Sequence, residues 1–208
     1  MTEKNLTIEE NFTLAVQNYQ KNNLKTAKNL YVNILKIDPN HVDSHYNLGI
    51  IFKELGELQK AISCYEKVIQ INPNHRDAYN NLGNVLKKSG EFQKAINYFK
   101  KAIEIDPNFV IAYYNLGILF KELGDLQKAL SCFQKAVELN PNHAAAYNNL
   151  GNILQELGEP QKAVSCYEKA IEINPNYPKA ILNEAYVRLE LGEFEAGWKK
   201  YESRFDKA

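Results

Sequence analysis

No stretch of the 208 residues approaches the roughly 18 consecutive apolar positions of a membrane-spanning helix, so no membrane partner is expected. No charge of one sign prevails: 25 Lys and Arg balance 25 Asp and Glu, for a formal net charge of zero. Binding of nucleic acid by phosphate neutralisation calls for a basic excess, so that partner is not expected either. The segment Met1 to Thr7 has no apolar core, so no secretory signal is read there. Cysteine is scarce, with only Cys64, Cys132 and Cys166. So few thiols fit a reducing, cytoplasmic setting rather than a disulfide framework.

Arrangements that carry chemistry are missing too. No Ser/His/Asp or Cys/His set, paired carboxylates or phosphate loop stands out. His41, His75 and His143 recur 34 or 68 residues apart, which argues against a shared metal ion. No catalysis, cofactor or metal site is expected.

What the chain does have is a ruler. Pro39, Pro73, Pro107, Pro141 and Pro175 fall 34 residues apart, each between Asp or Asn and Asn. Gly56, Gly90, Gly124, Gly158 and Gly192 keep the same 34-residue interval. Proline cannot continue a helix, and it moves its predecessor out of the α region. Glycine supplies the left-handed residue that ends a helix. Each unit therefore reads as helix A, glycine turn, helix B, proline turn. The asparagine after each proline (Asn40, Asn74, Asn108, Asn142, Asn176) is well placed to cap the next helix A. The three cysteines occupy one place in three units. With helices spaced by about 8–10 Å, equivalent positions lie beyond the reach of a disulfide.

The units run 8–41, 42–75, 76–109, 110–143, 144–177 and 178–205, the last degenerate, with 1–7 a flexible N-terminus and 206–208 a tail. Numbering places from the first residue of each unit, with about 100° per residue, puts places 3, 7, 10, 11 and 14 of helix A on one apolar arc. In the fourth unit these are Ala112, Leu116, Leu119, Phe120 and Leu123. Helix B repeats the pattern with Leu126, Ala129, Leu130, Phe133, Ala136, Val137 and Leu139. A lone hairpin cannot cover such faces, whereas stacked neighbours can.

Leu82, Gly83, Ala95, Phe99, Ala102 and Pro107, with equivalents in units two, four and five, carry a family signature. The chain resembles the tetratricopeptide repeat (TPR) family across residues 8–205. The resemblance implies an all-α fold, a right-handed α-solenoid superhelix of helix-turn-helix units, whose A helices line a concave groove that binds protein or peptide segments without catalysis. The Asn-Leu-Gly-Asn units are similar to those in the TPR arm of O-linked N-acetylglucosamine transferases, which implies an asparagine ladder gripping a peptide backbone. Gly197, Trp198, Tyr201, Glu202 and Arg204 resemble a segment that closes TPR arrays in multidomain bacterial proteins. The resemblance thus admits two alternatives to a scaffold: the substrate-recruiting arm of a larger modifying enzyme, and an oligomer self-associating through end repeats. Carboxylate-clamp members need Lys and Asn at places 5 and 9 of the first unit, where this chain has Phe12 and Val16.

Places 2, 5, 9, 12 and 13 fall on the arc opposite the core, with place 6 at its edge. Place 5 and place 9 are Asn80 and Asn84 in unit three and Asn148 and Asn152 in unit five, but Tyr46 and Ile50 in unit two and Tyr114 and Ile118 in unit four. The groove is expected to alternate between amide-rich and aromatic-aliphatic surface. Place 6 gives the row Asn47, Asn81, Asn115, Asn149 and Asn183. A carboxamide can accept from a peptide N–H while donating to its C=O, so the row would hold an extended backbone, unless each amide instead satisfies a neighbouring helix. Lys53, Lys87 and Lys121 at place 12 would steer an acidic ligand, although Glu54, Glu122 and Glu156 stand beside the row. Trp198, Tyr201 and Phe205 are expected to pack on their own helix A.

Overall fold

The computed structural model describes residues 7–202. The residues read from sequence as the far N-terminus, the 206–208 tail and the end of the closing segment (Ser203, Arg204, Phe205) lie outside that range. The chain divides after Pro107 into two compact units.

The first unit holds α1 (Ile8–Gln20), α2 (Leu24–Ile37), α3 (Val42–Glu54), α4 (Leu58–Ile71), α5 (Arg76–Lys88) and α6 (Phe92–Ile105). The second holds α7 (Val110–Glu122), α8 (Leu126–Leu139), α9 (Ala144–Glu156), α10 (Pro160–Ile173), α11 (Pro178–Glu190) and α12 (Phe194–Glu202). The fold is all-α, and no strand occurs among the described residues. Odd-numbered helices are the A helices and even-numbered ones the B helices. Each A pairs with the B that follows. Successive hairpins then stack, α2 on α3 and α4 on α5 in the first unit, α8 on α9 and α10 on α11 in the second.

Both turns follow from local chemistry. Gly56 and Gly124 adopt φ of 75° and 76°, conformations that cost an L side chain energy. The first hairpin uses Asn22 at φ 59° instead. At the other turn the residue before proline, not the asparagine after it, does the bonding. Asp38, Asn72, Asn140 and Asn174 accept the backbone N–H two residues on, at 3.0–3.1 Å, closing an Asx turn. The helix therefore starts one residue later than the asparagine-cap expectation. His41, His75, Phe109, His143 and Tyr177 are the N-caps, in place of Asn40, Asn74, Asn108, Asn142 and Asn176. Thr7 caps α1 in a reciprocal box with Glu10.

The core of each of the four middle hairpins is an aromatic ring seated on a glycine. Tyr65, Phe99, Phe133 and Tyr167 of the B helices are fully buried. A Cβ added at Gly49, Gly83, Gly117 or Gly151 would meet those rings at 2.6–2.9 Å. The signature glycine thus makes room for a ring. Around it close Leu82, Val85 and Ala95 in the first unit, and Leu119, Ile153 and Ala129 in the second, all with no exposed surface. Leu123, expected in the core, is instead the C-cap of α7 and is exposed, because the turn swings it outward.

Candidate functional site

The A helices carry two kinds of cross-repeat rung, and both link a residue to the one 35 positions later. Because one repeat is 34 residues, each rung joins place n of one A helix to place n+1 of the next.

The first rung joins places 5 and 6. Asn81 Nδ2 donates to the Tyr46 hydroxyl at 2.9 Å in the first unit, and Asn149 Nδ2 donates to the Tyr114 hydroxyl at 3.2 Å in the second. At the last junction Asn183 Nδ2 donates to Asn148 Oδ1 at 3.1 Å and to Asn152 Oδ1 at 2.9 Å. The first junction lacks this rung for a simple reason: Phe12 stands at place 5 and has no acceptor. Asn47 there turns back to the Asp43 carbonyl of its own helix, at 2.8 Å. The place-6 asparagine therefore bonds back to whichever acceptor, tyrosine or asparagine, stands at place 5 of the repeat before. It also orients the rings: Tyr46 lies over His75 at 5.0 Å and Tyr114 over His143 at 4.8 Å between centroids. Burial raises both tyrosine pKa values, so the hydroxyls stay protonated.

The second rung joins places 12 and 13. The Tyr19 hydroxyl donates to Glu54 Oε1 at 2.5 Å, Lys121 lies 3.6 Å from Glu156, and Gln155 Nε2 donates to Glu190 at 3.1 Å. The carboxylate bond, together with burial, pushes the Tyr19 phenol up to about 12.

Of the residues singled out from sequence, Tyr46, Asn47, Ile50, Lys53, Asn81, Asn84 and Lys87 are half-buried on the A helices of the first unit. Tyr114, Asn115, Ile118, Lys121, Asn149 and Asn152 are half-buried on those of the second. Asn80 and Asn148 depart from the expectation. Both are buried, although the helical wheel puts them opposite the core. The wheel accounts only for the helix's own hairpin. In a stack, place 5 also turns toward the following A helix, as the Asn183 bond to Asn148 records. The Asn148 amide thereby joins two repeats of the second unit.

The outer lysines behave differently from the place-12 row. Lys60, Lys94, Lys128 and Lys162 each pair with the acidic residue that follows the glycine, three positions back. Lys60 and Lys128 also lie over the Phe52 and Phe120 rings at 5.5 and 5.3 Å.

Two sets of residues escaped the sequence reading. The histidines are caps. His41, His75 and His143 each accept through Nδ1 from the N–H three residues on, at 3.2 Å. Burial lowers the His143 pKa, which keeps the ring a neutral acceptor. Their position one residue before each A helix was the available signal. Glu184 is the other: it is 1 % exposed, at the place where earlier repeats bury leucine. Arg188 Nε at 2.8 Å and Lys200 Nζ at 2.9 Å neutralise it. Of the closing aromatic stripe, Tyr201 meets Tyr186 of its own helix A at 6.1 Å between ring centroids, while Trp198 is half exposed and lies 5.7 Å from Tyr201. The thiols of Cys64, Cys132 and Cys166 form no disulfide. Burial pushes Cys64 and Cys166 up to about 11, which leaves them poor nucleophiles. No group of three or more His, Cys, Asp or Glu converges among the described residues.

Family profiles described as tetratricopeptide repeat match residues 42–75, 77–109, 109–176 and 166–199. Among solved structures, MamA is 27 % identical, with a TM-score of 0.71 over 77 % of this chain and 94 % of its own. YrrB, described as a TPR protein with an unusual peptide-binding site, is 26 % identical, with a TM-score of 0.66 over 84 % of this chain and 90 % of its own. Pseudomonas aeruginosa pilF is 19 % identical, with a TM-score of 0.83 over 93 % of this chain and 88 % of its own, a likeness of fold alone. No curated protein matches the chain.

Proposed function

The chain belongs to the tetratricopeptide repeat family, and from that premise we propose that it is a non-catalytic scaffold that binds an extended segment of a partner protein along its A helices. The observation that carries this reading is the place-5/place-6 rung. Half-buried polar and aromatic side chains outside the hairpin cores are held in fixed orientations by bonds from the next repeat. A surface ordered before the ligand arrives loses less entropy on binding.

The rung also sharpens the mechanism. The Asn149 amide nitrogen already donates to Tyr114 and to the Ala145 carbonyl. Its carbonyl oxygen is the part suited to a ligand, as acceptor for a peptide N–H. Asn81 works in the same way. The sides of this track are Tyr46 and Ile50 in the first unit and Tyr114 and Ile118 in the second, which give side-chain selectivity. The peptide-binding site ascribed to YrrB supports a peptide as the ligand class. The same proposal has the chain work in the cytoplasm, where its thiols stay reduced.

The test is a peptide selected from a display library on the intact chain. Replacing Asn81 and Asn149 together by Ala removes the bond to each tyrosine and the amide acceptor from the track. Affinity for the selected peptide should fall at least about tenfold, with helix content by circular dichroism unchanged. Affinity within about twofold of the parent would refute the ladder.

A further inference from the structure

One second-type rung breaks the pattern. At the other three described junctions within a unit, place 13 is glutamate and meets Tyr19, Lys121 or Gln155. Between α3 and α5 the same two places hold Lys53 and Lys88. The two places that pair a donor with an acceptor elsewhere are here both lysine. Of the nearby carboxylates, Glu54 is held by the Tyr19 hydroxyl, Glu57 by Lys60 and Glu91 by Lys94.

A second observation comes from beneath the rung. In the fifth repeat the buried Tyr167 hydroxyl donates to Asn152 Oδ1 at 2.8 Å and to Gln155 Oε1 at 3.3 Å, the side chains at places 9 and 12. The equivalent tyrosine of the second repeat, Tyr65, is fully buried with its ring against Gly49. Its places 9 and 12 are Ile50 and Lys53, neither of which accepts a hydrogen bond. Accordingly the Tyr65 hydroxyl has no partner among the described residues. Burial raises its pKa well above the ordinary range, so it remains a donor. A buried donor without an acceptor is costly, and the place-12 side chain that accepts from Tyr167 in the fifth repeat is here a cation, Lys53.

We propose that Lys53, Lys88 and the Tyr65 hydroxyl form a subsite for one carboxylate, carried by an aspartate or glutamate side chain of the bound segment. The proposal rests on the A-helix reading above and adds to it an acidic residue at a defined point of the track. The carboxylate has acceptor capacity for three donors at once, and charge assistance strengthens each bond. Lys53 stands on a flexible four-carbon stem, which lets its ammonium group move to admit a carboxylate oxygen to the phenol. Lys121, already paired with Glu156, does not repeat this subsite in the second unit.

The experiment compares fluorescently labelled hexaglutamate and hexaglutamine peptides by anisotropy on the full chain. The two share backbone and shape and differ in charge. Hexaglutamate should bind at least about tenfold more tightly at low salt. Lys88→Glu should abolish that preference and raise Tm, since it sets a carboxylate opposite Lys53 and so restores the rung of the other junctions. Tyr65→Phe should reduce the preference about threefold to fivefold without lowering Tm. Lys100→Glu, the same charge change on an exposed part of α6, should leave the preference in place. Equal losses from Lys88→Glu and Lys100→Glu would reduce the effect to net charge and overturn the subsite, as would no loss from Lys88→Glu. Equal binding of the two peptides would overturn the subsite while leaving the A-helix track intact. Failure of both to bind would overturn it too, with the track judged separately by the display-selected peptide.

Discussion

Two junctions of the molecule are near copies: α3 with α5 in the first unit, and α7 with α9 in the second. Both carry the tyrosine–asparagine rung, at 2.9 and 3.2 Å, and both stack the tyrosine on the following histidine. They differ about two turns further along, where Lys53 and Lys88 stand in one and Lys121 meets Glu156 in the other. The shared rung belongs to the architecture. The divergent one is surplus to it, because the second unit shows that the stack tolerates a neutralised pair there. Two lysines at one of two otherwise matching places are what the proposed carboxylate subsite would use.

Perturbations of the two junctions should separate what is common from what is particular. The largest effects should be equal in both. Ile51→Ala in the first unit and Leu119→Ala in the second each empty the same fully buried place 10, and each should cost about 2–5 kcal/mol by urea denaturation. Unequal costs would mean that the two cores are packed differently. Next come Gly49→Ala and Gly117→Ala, which drive a methyl into the Tyr65 and Phe133 rings. Overpacking of this kind should cost about 1–3 kcal/mol, again alike in both units.

Charge exchange at the second rung should split the pair. Lys88→Glu should stabilise the first unit, and Glu156→Lys should destabilise the second, each by about 0.2–1 kcal/mol as expected for exposed pairs. Both shifts should shrink in about 1 M NaCl. Effects of the same sign would contradict the register assigned to these places.

The smallest effect is the pH dependence of a cap. Burial depresses the His143 pKa in the folded chain, so between that value and the unfolded value near about 6.5 the unfolded state binds more protons. Stability from this group is present above about pH 6.5 and is lost as pH falls through the depressed pKa. Tm followed from about pH 7.5 to about pH 5 should decline, with a smaller decline in His143→Asn, where the cap does not titrate.

Much of this is legible in the sequence, and the physics explains which part. Helix, turn and core follow from local rules with a fixed period. Pro39, Gly56 and Leu82 announce their roles because each acts within its own hairpin. Asn148 misleads because a single-helix wheel cannot represent the neighbouring helix that bonds to it. The rungs are hidden for the same reason. They need the one-place stagger between successive A helices, which only packing supplies. Tyr46 and Asn81 both stand out in the sequence, but for a ligand, and their bond to each other appears only when the helices are set side by side. Glu184 reads as a mark of a degenerate end repeat, since nothing local predicts that Arg188 and Lys200 converge on it.

The central claim, that a partner segment lies along the A helices, is tested most directly by NMR. Side-chain amide resonances of asparagine and the backbone amides would be followed as the display-selected peptide is added to the labelled chain. Shifts should concentrate at Asn81, Asn84 and Ile50 in the first unit and at Asn149, Asn152 and Ile118 in the second. Shifts gathered instead on the outer B helices, around Lys60, Lys94, Lys128 and Lys162, would contradict it.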